Sequence, residues 1–128
     1  KPLEKGSNDE RAYSSHLQSL YNYCFTGRFS VEALVVKGGC DEWELNYAIA
    51  KHENFLKRLG EPRTIDQEPY YIGTMKRLGY LYKKKNDYKR ALEMFIKAED
   101  FDKKRNVDVW LKEYEIQIKE LHQLLRGD

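Results

Sequence analysis

Few of the devices that announce a function are present in this chain. It has two cysteines, Cys24 and Cys40, and no CxxC, HExxH or paired Cys/His spacing, so a zinc site has little support. No apolar run approaches the ~20 residues that cross a bilayer as a helix. Neither a secretory leader nor an Asn-x-Ser/Thr acceptor is seen. Buried intracellular thiols are therefore the favoured state of Cys24 and Cys40, with a disulfide between them as the alternative. One-sided charge is missing as well. Lys and Arg total 23 against 21 Asp and Glu, interleaved along the chain for a net +2, which argues against a polyanion binder driven by bulk charge. No phosphate-cradling glycine motif occurs, and Gly38-Gly39 reads as a helix break. His16, His52 and His122 fall on different expected helices without motif partners. His52 lies on an apolar side and reads as a core or boundary histidine. Asp41, Glu42 and Glu44 read as a helix start rather than a carboxylate pair. No catalytic residue, metal or cofactor is expected, and the chain is read as not an enzyme.

What is present is helical periodicity. The 128 residues suffice for one domain with a modest core, and 41% hydrophobic with 34% charged content suits a helix-rich surface. The chain opens at Lys1 in a polar segment, expected to be disordered over 1–8 and to belong to a longer protein, with cytoplasm or nucleus as the default location. A single helical domain is expected over 9–125. Asn8 can cap a first helix carrying Tyr13, Leu17, Leu20, Tyr21, Cys24 and Phe25, and Gly27 ends it. Ser30 starts a short second helix with Val31, Leu34 and Val35; the run Ala33–Val36 would also suit a buried strand, but no second strand-like run exists to pair with it. Asp41 and Glu44 form a capping box that opens a third helix, stopped by Gly60, with Leu45, Ala48, Ile49, His52, Phe55, Leu56 and Leu59 inward. Pro62 and Pro69 bracket a linker. A fourth helix runs to about Lys84, and a fifth from Asp87 or Tyr88 to about Phe101, across a tight polar turn. Asn106 is expected to cap a last helix whose apolar stripe is Trp110, Leu111, Tyr114, Ile118, Leu121 and Leu125. The fold class is all-α, with about six helices in antiparallel pairs.

One stretch carries more than periodicity. Met75, Leu78-Gly79, Tyr82, Tyr88, Ala91, Phe95 and Ala98 place small and large apolar residues at fixed offsets on two facing helices. Gly79, Ala91 and Ala98 allow close approach, while Tyr82, Tyr88 and Phe95 fill the space beside them. This pattern resembles the tetratricopeptide repeat (TPR), a helix pair of about 34 residues, here over about 72–105. The resemblance implies a right-handed helical stack that binds a protein or peptide on the concave face lined by each repeat's first helix. Carried onto this chain, that face holds Gly73, Lys76, Arg77, Tyr80, Lys83 and Lys84. Cations with one aromatic would suit an acidic or C-terminal-carboxylate peptide. Arg77 matches one position of the carboxylate clamp used by chaperone-binding members, whereas Gly73 stands where a Lys would complete it.

Three other partners remain in view. A stack with few repeats leaves an apolar end that a second copy could cover, giving a homo-oligomer. The clusters Lys83–Lys85, Lys89-Arg90 and Lys103–Arg105 could hold RNA, a reading the balanced charge disfavours. Ten tyrosines, with Tyr70, Tyr71, Tyr80 and Tyr82 on or near the repeat's first helix, also resemble the peptide-substrate-binding domain of collagen prolyl hydroxylases, which implies proline-rich ligands. The terminal Arg126-Gly127-Asp128 matches an adhesion tripeptide, but Gly127 as a helix stop explains it better. Trp110 is diagnostic: exposed, it marks an interface; buried, a cap.

Overall fold

Asp41 is extended, and its N–H donates to Glu44 Oε1 at 3.1 Å; the chain turns there into α1, Glu42–Leu59. The computed structural model describes Gln18, Tyr21 and residues 27–37 and 39–127, and α1 is the first of four long helices whose full extent lies among those described residues. Gly60 ends it at φ 66°, a conformation open to glycine without strain. The expected first helix and the 1–8 segment lie outside the described residues, apart from Gln18 and Tyr21. Ahead of α1, Ser30 Oγ accepts the Ala33 N–H, and Glu32–Val36 forms a π-helical turn closed by Lys37 N–H to the Glu32 carbonyl. The apolar run thus coils, and no strand occurs among the described residues.

Pro69 sits in the first turn of α2, Glu68–Lys84, where its missing N–H removes no helical bond. The linker before it contains a single 3-10 turn, Ile65–Gln67, tied down by Gln67, which is buried and accepts the Arg63 N–H. Asn86 then adopts φ 68°. Its N–H bonds the Lys83 carbonyl and the next N–H bonds the Tyr82 carbonyl, the paired pattern that closes a helix through a left-handed residue. Asp87 next accepts the Arg90 N–H and starts α3, Tyr88–Lys104.

The junction that follows departs from the sequence expectation. Asn106 does not cap the last helix. It stands at φ 60°, donates to the Lys103 carbonyl, and Val107 donates to the Asp102 carbonyl, so it ends α3 by the same device as Asn86. Asparagine suits both an N-cap and a left-handed stop, and here the stop prevails. As a result α3 runs past Phe101 to Lys104, and α4 begins only at Leu111, with Trp110 and not Asn106 at its cap. Asp108 falls outside the helix.

Packing is sequential: α2 rests on α1, α3 on α2 and α4 on α3. One core draws on all four, with Leu45, Ala48 and Ile49 from α1, Met75, Leu78 and Leu81 from α2, Ala91, Phe95 and Ala98 from α3, and Tyr114 and Leu121 from α4. Of the expected inward face of α1, six residues are buried and Leu56 is half-buried. Of the expected stripe of α4, Tyr114 and Leu121 are buried, Leu111 and Ile118 half-buried, and Leu125 is exposed, the inward place being taken by Leu124. Helices α2 and α3 meet closely at Gly79, where any Cβ would lie 2.7 Å from the Phe95 ring.

Candidate functional site

Because α2 is flanked by α1 and α3, its remaining face, Ile72, Gly73, Lys76, Arg77 and Tyr80, borders a cleft. The π-helical turn supplies Val31, Glu32 and Val36 on one side, and the start of α4 supplies Trp110 and Glu113 on the other. The cleft holds about 490 Å³, within the range of small-ligand or side-chain pockets. Apolar side chains stand exposed at its rim, Val36 at 67%, Trp110 at 44% and Pro69 beside them, together with the exposed carboxylate of Glu32.

The polar side chains of this face are tied across to neighbouring elements. Lys76 Nζ lies 3.2 Å from Glu113 Oε2 and 3.5 Å from the Trp110 ring centroid. Tyr80 donates its hydroxyl to the other Glu113 oxygen. Burial, then the Glu113 carboxylate, hold the Tyr80 phenol well above its ordinary range, so it stays a donor at all working pH. Arg77 donates to the Tyr21 hydroxyl. Lys83 reaches Gln117 Oε1 at 2.8 Å and Glu120 Oε1 at 2.7 Å on α4, outside the cleft lining. Lys84 is exposed and also lies outside the lining. The cleft thus brings together Lys76, Arg77 and Tyr80 of the residues singled out from sequence, and leaves out Lys83 and Lys84.

The residues singled out as repeat packing occupy the interior: Leu78, Gly79, Tyr82, Ala91, Phe95 and Ala98 are buried, and Tyr88 is half-buried. Of the four tyrosines weighed as a proline-binding platform, Tyr82 is buried and donates to Glu53, Tyr71 packs on Phe101, Tyr70 on Tyr21 and Tyr80 on Phe95. The basic clusters are largely compensated. Arg90 pairs with Asp87, Lys103 with Glu99, Lys104 with Asp100, and Arg105 with both Glu68 and Asp102.

Two features escape sequence reasoning. The first is Asp102, fully buried, which accepts the Tyr114 hydroxyl and an Arg105 N–H, both at 2.6 Å. Arg105 in turn reaches Glu68 at 2.8 Å, so one network joins α2, α3 and α4. The available signal was position, since Ala91, Phe95, Ala98 and Asp102 recur at helical spacing along one stripe. The second is an aromatic surface on α1: Phe29 packs on Tyr47 and Trp43, and the Arg28 guanidinium lies 5.0 Å from the Trp43 ring.

The remaining chemistry-bearing groups do not assemble. Cys40 is a free, half-buried thiol, and Cys24 and His16 lie outside the described residues. His52 is buried, with Nδ1 2.7 Å from the Ala48 carbonyl, while His122 is exposed on α4. Among the described residues no three His, Cys, Asp or Glu converge on a metal position, and none of their helices is long and apolar enough to cross a membrane. No family model, curated protein or solved structure matches this chain significantly.

Proposed function

We propose that the chain is a non-catalytic, TPR-like docking module that receives a segment of a partner protein in the cleft beside α2. The observation that carries this reading is the cleft itself, a recess with exposed apolar side chains at its rim, lined by Tyr21, the π-helical turn, α2 and the start of α4, and containing Lys76, Arg77 and Tyr80. Support for the TPR-like part comes from the packing of Phe95 against Gly79 and from the order in which each long helix rests on the one before it. Docking would proceed by burying an apolar group of the partner against Trp110, Val36 and Ile72, with the polar groups that line the cleft fixing its direction.

The test compares K76E/R77E, V36R and W110A with K84E, a change outside the cleft. Peptides selected against the full chain from a random display library provide the readout. The three cleft variants should each weaken binding by about tenfold or more, as expected for interface centres, and K84E should leave it unchanged. Peptides that bind V36R and K76E/R77E as tightly as the unaltered chain would sink the cleft as the docking site.

A further inference from the structure

The cleft contains a ready carboxylate-binding pair, the Lys76 ammonium and the Tyr80 hydroxyl, and the chain fills that pair with its own side chain. Both oxygens of Glu113 are engaged, one by each partner, and the Trp110 ring covers the same ammonium. Among the described lining residues the charges balance, Lys76 and Arg77 against Glu32 and Glu113. An entering carboxylate would have to displace Glu113, which is tethered three residues from Trp110 on α4 and so acts at high effective concentration. A neutral apolar group meets no such competition, since Val36, Pro69 and Trp110 stand exposed at the rim.

Resting on the docking function above, we infer that Glu113 is the specificity-determining residue of the cleft: it occupies the carboxylate position and restricts the occupant to an uncharged segment anchored by an aromatic or large aliphatic side chain. The excluded class is the acidic peptide that the cation-rich sequence of α2 would otherwise suggest. Selectivity of this kind works by denying the wrong partner its counter-charge.

The experiment selects from one random dodecapeptide library against the unaltered chain and against Glu113→Gln, a near-isosteric change that removes the charge while keeping an acceptor for Tyr80. Selection on the unaltered chain should return aromatic or aliphatic peptides without enrichment of Asp or Glu. Their affinity should change by less than about threefold between about 50 and 500 mM salt, because few ions are released on binding. Selection on E113Q should shift to acidic or carboxylate-terminal peptides whose affinity falls steeply with salt. Acidic enrichment on the unaltered chain, or identical pools from both proteins, overturns the proposal. A library that yields no binder, or binders indifferent to V36R, removes the docking function first and the selectivity with it. Thermal unfolding of E113Q within a few degrees of the unaltered chain confirms that the comparison is between folded proteins.

Discussion

His52 is a titratable group held where water does not reach it. It is fully buried on α1, and desolvation, opposed by the Ala48 carbonyl and aided by the Arg77 charge, lowers its pKa to about 4. In the unfolded chain the same imidazole titrates near ~6.5. Between these values the unfolded chain binds a proton that the folded chain refuses, so stability should fall as the pH drops from about 6.5 to about 4. The full effect is on the order of 3 kcal/mol. Urea denaturation at several pH values should show this slope, and His52→Leu should flatten it. An unchanged slope in the variant would assign the acid sensitivity to other groups. Gly79 sets a second residue-scale expectation. Alanine there would gain about 1 kcal/mol of helix propensity but would drive its methyl into a fully buried Phe95 ring, at about 1–3 kcal/mol. Overpacking should prevail, giving a net loss of up to about 2 kcal/mol by denaturant titration, largely relieved in a Gly79→Ala, Phe95→Leu double variant.

At the scale of the element, α4 is fastened by polar groups as well as by apolar ones. Asp102 is buried at the end of α3 and held by Tyr114 and Arg105, so removing it leaves the buried Tyr114 hydroxyl without its acceptor and Arg105 paired with Glu68 alone. Asp102→Ala should cost about 3–5 kcal/mol, whereas Tyr114→Phe should cost only about 1–2. Hydrogen exchange should then show loss of protection concentrated in α4, whose contacts depend on that network. Uniform loss over α1 to α4 would contradict this local role. The reach of sequence reasoning differs from helix to helix for physical reasons. Asp41 with Glu44 and Gly60 mark both ends of α1 because caps are local chemistry. The α2–α3 turn is legible for the same reason, through the polar turn after Lys84 and Asp87 at the head of α3. Asn106 misleads because its residue type serves either end of a helix, and the choice is made by α3 continuing far enough to bury Asp102. The cleft was only half legible. The face of α2 follows from periodicity, but Glu113 lies 37 residues beyond Lys76, and nothing local announces that the two meet.

For the molecule as a whole, the near-neutral charge and the outer surface of α4 bear on association. Lys112, Glu115, Lys119, Glu120, Gln123 and Arg126 are exposed there, with Ile116 and Leu125 as the apolar members. A surface so charged does not resemble the apolar centre of a stable dimer interface. Sedimentation at two concentrations should therefore return the same monomer mass; a mass that rises with concentration would favour self-association through this end. The stacked contact between Lys76 and Trp110 has an optical consequence. The chain has two tryptophans, and only Trp110 lines the cleft. In a Trp43→Phe background, the emission of the remaining indole becomes a direct reporter of the cleft. Its half-exposed ring should shift to the blue as an occupant excludes water, giving a label-free titration with no probe attached to either partner.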